Sequence, residues 1–285
     1  MYIYDRISVA PGAGGPGPGS GRGQTYLVRG RNRSRGVEAI AELEIRTFKE
    51  VDLKGGTVVA AFPSVGMVST IAATYLITTL KVDQAVAFES DDFPALSMIY
   101  ASKPKFPARA YALHGAKLAI VICEVPLVPR AHRPVARGVL RWAQANGARQ
   151  IVTLEGLPAD LEGPPGAPKV WGVGSTDRAR AALEAHKIPQ LESGMIAGVS
   201  GVLLNEGRWL GFDVLALLAE ARPDQPDATA AVSLTHSLDD LLPELEIDLG
   251  PLREQAKALE GHLRRLKAQA QPAVPPETDS GSMYR

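Results

Sequence analysis

The chain has 285 residues, 45% hydrophobic and 22% charged, a length and balance that suit a soluble globular protein with one large domain or two smaller ones. Lys plus Arg and Asp plus Glu both number 31, so no global charge excess points to nucleic acid or an acidic membrane. One cysteine, Cys123, rules out an internal disulfide, no apolar run of about 18 residues marks a membrane span, and "MYIYDRISVAPGAGG" lacks the layout of a signal peptide, so a cytoplasmic protein is expected.

Residues 1–36 hold Arg6, Arg22, Arg29, Arg31, Arg33 and Arg35 against one acid, Asp5, around the run "PGAGGPGPGSGRG". This composition predicts a flexible Gly/Pro/Arg-rich arm. Its apolar piece, Tyr26 to Val28, can pair with a sheet edge. A basic arm can touch RNA or an acidic partner; a solvated extension is the plainer reading, and nucleic acid is not an expected partner.

Strands and helices alternate from residue 37 to 235, which defines the core domain. "TVVAAF" (57–62) reads as a buried strand, "PSVG" (63–66) breaks it, and "MVSTIAATYLITTL" carries Met67, Ile71, Tyr75 and Leu76 at helical spacing. "QAVAFE" (84–89) predicts the next strand. A hairpin-like stretch follows in "SMIYASKP" and "ARAYALHG". "KLAIVICEVP" (117–126) is the continuous apolar run of a strand covered on both faces. A helix is expected over 131–146, with Val135, Val139, Leu140 and Trp142 on its apolar face and Asn146-Gly147 ending it. Strands at 149–158 and 169–175 come next, then a helix over 177–187 capped by Ser175 or Thr176. A Gly-rich turn, a helix near 198–206 and a strand near 212–218 complete the pattern. The expected fold is α/β, a mostly parallel sheet flanked by helices, with a C-terminal helical extension.

Residues 228–242 read as a helix stopped by Pro243. Residues 236–270 form a C-terminal helical segment for packing or oligomerisation, and Pro251 opens its last helix. Leu252, Ala256, Leu259, Leu263 and Leu266 step by 4, 3, 4 and 3 residues, an a/d seam. Just over two heptads do not stand alone, so this stripe packs on its own body or on sister subunits. "QPAVPPETDSGS" then makes a flexible tail over 271–285, ending on Met283, Tyr284 and Arg285. Its 12 spacer residues reach roughly 40 Å when extended.

The candidate chemistry is sparse. Pro63, Ser64, Val65 and Gly66 lie where α/β folds bind ligands, at a strand's C-terminal end and a helix N-terminus. The turn matches neither a P-loop nor G-x-G-x-x-G, and tight strand–helix packing at Gly66 explains it as well. Glu89, Asp91 and Asp92 in "ESDDFP" are close enough to bind Mg²⁺ or do acid–base work, but a solvated loop is the simpler account. The five histidines, His114, His132, His186, His236 and His262, have no metal-ligand spacing. Cys123 reads as an inert core thiol. Ser64 and Ser200 lie near glycines without forming G-x-S-x-G. No cofactor or metal is called for, and no catalytic constellation assembles.

"VVAAFPSVGMVSTIAATYLITTLKVDQAVAFESDDFPAL" resembles the opening unit of the proteasome assembly chaperone 2 family, in its archaeal branch: a strand, a Pro-x-x-Gly turn, a helix and an acidic D-x-F-P segment. "GMIAGVSGVLLNEGRWLGFDVLALLAEA" and "DATAAVSLTHSLDDLLPELEIDLGPLREQAKALE" are similar to later parts of that family, and the match runs in order over about residues 45–270. The resemblance implies a nucleoside-phosphorylase-like fold, a homo-oligomer and a non-enzymatic role. It implies a partner in the 20S proteasome α-subunits, reached in some members through a C-terminal hydrophobic–Tyr–any-residue motif. Here that motif falls on Met283, Tyr284 and Arg285. A terminal carboxylate suits carboxylate capture, Tyr284 brings apolar area with a phenol O–H, and Met283 suits a flexible apolar slot. The expected function is therefore a proteasome assembly chaperone or ATP-independent adaptor. The alternative is a nucleoside- or nucleotide-binding enzyme using the Pro63–Gly66 turn.

Overall fold

The computed structural model describes residues 25–28, 43–113, 117–159, 168–223, 225–245, 247–248, 250–252 and 254. The remainder of the arginine arm, His114, His262, the stripe residues Ala256, Leu259, Leu263 and Leu266, and Met283, Tyr284 and Arg285 lie outside the described residues.

In chain order the elements are β1 (Thr25–Val28), β2 (Leu43–Thr47), β3 (Thr57–Ala61), a 3₁₀ turn (Val65–Met67), α1 (Val68–Thr79), β4 (Asp83–Glu89), β5 (Met98–Tyr100), β6 (Lys103–Lys105), β7 (Ala108–Leu113), β8 (Leu118–Cys123), α2 (Pro129–Ala145), β9 (Gln150–Pro158), β10 (Val170–Gly174), α3 (Asp177–Ala185), α4 (Gly198–Leu210), β11 (Asp213–Ala221), α5 (Ala228–Leu241) and a second 3₁₀ turn (Pro243–Leu245). Nine strands make one sheet in the order β1-β2-β4-β7-β8-β3-β9-β11-β10, and β5 and β6 form a separate hairpin.

The fold is α/β, but the sheet is mixed rather than mostly parallel. β8, β3, β9 and β11 form a parallel block; the pairings β1–β2, β2–β4, β4–β7, β7–β8 and β10–β11 are antiparallel. Connection length accounts for the return at β7–β8. The link between β7 and β8 is too short for a crossover helix, and only an antiparallel return fits it. The apolar segment Tyr26–Val28 does pair with the sheet edge, as β1 against β2.

Helices cover both faces of the parallel block. α1, α3 and α5 close one core around Val59, Ile120, Leu154, Leu217 and Leu234. α2 and α4 close the other around Val58, Val121, Ile151, Val139 and Leu203. α1 is buried around most of its circumference because it lies between the sheet and α5. Met67, expected on its apolar stripe, stands before the helix with a left-handed backbone (φ 52°). Pro129 starts α2 two residues earlier than expected, at the position where its missing N–H costs nothing. Thr176 caps α3 by accepting from the Ala179 N–H at 3.0 Å. Pro243 ends α5. Beyond it, the Tyr75 hydroxyl donates to the Asp248 carbonyl and Leu252 is fully buried against the α1/α5 core.

Candidate functional site

Parallel strands put their C-terminal ends on one edge, and the helices that follow them start there. β3 lies between β8 and β9, and α1 and α2 sit on opposite faces. The crevice between β3 and β9 is therefore the topological switch point, the usual ligand position in such sheets. The Pro63–Gly66 turn stands there.

The protein's own groups fill that crevice. The Val65 carbonyl lies over Gly156 of β9, where a Cβ would stand only 2.1 Å from its oxygen, so only glycine permits the approach. Gly66 is left-handed (φ 61°) and its carbonyl accepts from the Asp227 N–H at 2.8 Å. Asp227, buried, takes the Ala230 N–H at 3.0 Å and the Arg222 N–H at 3.2 Å, and so caps α5. Ser64 Oγ accepts from the Ser69 N–H at 3.3 Å in the first turn of α1. The starts of α1 and α5 beside the turn are furnished from within, which leaves the turn a packing role.

The other expected acids are only partly drawn in. Asp92 is paired with Arg130 at the start of α2, 2.5 Å apart, and its second carboxylate oxygen is buried. Asp91 is exposed. Glu89, half-buried at the end of β4, is pushed up chiefly by burial. Among the described residues no three His, Cys, Asp or Glu side chains are placed to hold a metal ion. Cys123 is fully buried, and burial pushes its thiol up to about 12.

Two glutamates that the motif reading passed over hold polar networks within the fold, Glu124 with an almost wholly buried side chain and Glu155 half-buried. Glu124, just after β8, meets Arg109 of β7 at 2.6 Å with both side chains almost wholly buried (1% and 3% exposed). Arg109 also donates to the Tyr111 hydroxyl at 2.9 Å and to the Phe106 carbonyl at 3.1 Å. Its guanidinium lies 5.3 Å from the Tyr100 ring centre, and the Tyr100 hydroxyl donates to Glu124. Burial first, then Glu124, raises the Tyr100 phenol, so it stays a donor. This network anchors the β5–β6 hairpin. The second glutamate, Glu155 of β9, accepts from Ser200 of α4, and Ser200 lies 2.5 Å from Thr153. Burial raises Glu155 to about 7, and the Ser200 hydrogen bond opposes that shift. The available signal for both was a charged residue inside an apolar strand: "ICEVP" and "IVTLEGLP".

At the opposite edge a cavity of about 160 Å³ is lined by Gly56, Thr57, Lys117, Arg149, Leu242 and Leu245. Leu242 closes the C-terminal end of α5. Lys117 and Arg149 thus stand near the C-terminal end of α5, where a helix dipole favours cations.

Comparison with known proteins agrees with the fold. The chain is similar to Pyrococcus furiosus PbaA, an archaeal homolog of proteasome-assembly chaperone (27% identity, TM-score 0.71, covering 79% of this chain and 97% of that one). It is also similar to Pyrococcus furiosus PbaB, an archaeal proteasome activator (26% identity, TM-score 0.64, 79% and 98% covered). The uncharacterized protein MJ0106 of Methanocaldococcus jannaschii is 26% identical over 220 residues, covering 77% of this chain and 89% of that protein. The sequence model of the PAC2 family matches residues 58–267, and the chain belongs to that family.

Proposed function

We propose that this protein is a non-enzymatic, homo-oligomeric proteasome assembly chaperone or ATP-independent adaptor. On this reading it contacts 20S proteasome α-subunits through Met283, Tyr284 and Arg285. The observation that carries the reading is the family match over 58–267 together with similarity to PbaA along nearly all of that chain's length. The crevice at the switch point supports it: Val65, Gly66 and Asp227 pack where a nucleotide would need open backbone amides. The stripe beginning at Leu252 serves to gather copies or to seat the last helix, and several tails held together add weak contacts through effective concentration.

The test is removal of residues 283–285 followed by surface binding to isolated α-subunits and to complete 20S particles. Loss of binding to either target by at least tenfold is expected. Unchanged binding to both overturns the docking mechanism, and a preference for free α-subunits over complete particles assigns the protein to assembly rather than regulation.

A further inference from the structure

Thr153, Glu155 and Ser200 form a polar chain between β9 and the first turn of α4. Thr153 and Ser200 are fully buried and their oxygens are 2.5 Å apart. Ser200 Oγ in turn donates to Glu155 Oε1. We propose that this chain is a proton-operated latch: a neutral Glu155 keeps the first turn of α4 seated on β9, and an ionised Glu155 favours release of that turn with the loop 192–197 that precedes it.

The α4 entrance depends on this contact more than an ordinary helix start does. Its N-cap residue is Ala197, which supplies no capping side chain, and Gly198 is left-handed (φ 71°) with open space where a Cβ would stand. Ser200 in the first turn ties it to the sheet instead. The loop ahead of it presents Met195 almost fully exposed, at 89%. A displaced α4 entrance therefore changes how an apolar side chain is shown to solvent.

The surroundings make Glu155 proton-sensitive. On β3 and the following turn, residues 57–67 include no ionisable side chain. On β11 the residue opposite is Leu218, and the nearest carboxylate in that strand, Glu220, accepts from the Trp171 indole at 3.1 Å. Residues 198–205 of α4 carry no ionisable group. On α2, Arg130 and Arg137 are paired with Asp92 and Glu206, His132 contacts the Leu127 carbonyl, and Arg133 and Arg141 are exposed. Burial thus acts on Glu155 without a cation to offset it, and only the Ser200 hydroxyl favours the anion. The hydroxyl chain serves both protonation states. It runs Thr153 to Ser200 to carboxylate when Glu155 is ionised, and reverses when the carboxyl carries the proton.

Native-state hydrogen exchange of the 199–203 amides in the full chain, corrected for the intrinsic pH dependence of exchange, tests the latch. With a closed-state value of about 7 and an ordinary 4.5 when open, opening rises about tenfold from pH 6 to pH 8 and levels off above 7. Glu155→Gln flattens the profile. Ser200→Ala, which keeps the carboxyl but removes its donor, moves the levelling-off point to higher pH. Opening that ignores pH in the unaltered protein, or a pH profile that persists in Glu155→Gln, overturns the proposal. Direct ¹³C titration of the Glu155 carboxyl needs no variant, and a midpoint near 4.5 overturns it as well.

Discussion

Glu124 and Glu155 are the same residue type, Glu124 just after β8 with its side chain almost wholly buried and Glu155 within β9 and half-buried, and the group each one meets differs. Glu124 has Arg109 at 2.6 Å; Glu155 has a serine hydroxyl. The difference follows the neighbouring strand: β8, before Glu124, borders antiparallel β7, which supplies Arg109, whereas β9 lies between parallel β3 and β11. Inside the parallel block β8-β3-β9-β11, helices cover both faces of β9, and the residues of β3 and of the first half of α4 beside Glu155 carry no charge, so its carboxyl meets a hydroxyl. In the antiparallel half β2-β4-β7, Arg109 and Tyr111 of β7 are met by Tyr100 and Lys105 of the β5–β6 hairpin, and charge finds a partner. A buried carboxylate with a cation sets geometry. A buried carboxyl without one responds to pH.

Breaking the cation partnership should have the largest effect. Arg109→Met leaves Glu124 buried and uncompensated, and should cost about 3–5 kcal/mol in urea unfolding. Adding Glu124→Gln, which keeps an acceptor for Tyr100, should recover most of that loss. A double variant no more stable than the single one would show that Arg109 acts through packing on Tyr100 and Tyr111 instead.

Next comes the pH response of Glu155. Its folded value of about 7 lies above the ordinary 4.5, so its contribution to stability is fully present below pH 4.5 and is lost as pH rises to about 7. The span corresponds to about 3 kcal/mol. Urea unfolding at a series of pH values should show this decline in the unaltered protein and not in Glu155→Gln. Glu124 offers the contrast, since Glu124→Gln alone should destabilise by stranding Arg109.

The smallest effect belongs to the hairpin that the Arg109 network anchors. Ala101 and Ser102 form its two-residue turn with φ of 50° and 61°, a conformation that favours Asn-Gly. Replacing the pair with Asn-Gly should stabilise the protein by about 1 kcal/mol, read as a raised Tm. No gain would mean that the turn's strain is already relieved by the anchoring of Tyr100.

Much of the architecture was legible because local signals agreed with one another. Continuous apolar runs marked β3, β8 and β9, Asn146-Gly147 and Pro243 marked helix ends, and Thr176 marked a cap. β2 escaped notice because Leu43 and Ile45 alternate with Glu44 and Arg46 in a short segment beside an unpatterned one. The antiparallel direction of β4 and β7 was equally hidden, since apolar content is the same whichever way a covered strand runs. At the candidate site, the Pro63–Gly66 turn was placed correctly at a strand end, but its engagement by Gly156 and Asp227 involves residues some 90 and 160 positions away.

By itself the amino-acid sequence determined the α/β class, the order of most elements and the family pattern, because periodicity, turn residues and motif order are local properties. Tertiary structure alone decided which carboxyl meets a cation and which meets a hydroxyl. Glu124 lies 15 residues from Arg109, and Glu155 lies 45 from Ser200. Desolvation and charge pairing depend on distance in space, and a strand's pattern of apolar residues does not record what stands across from it.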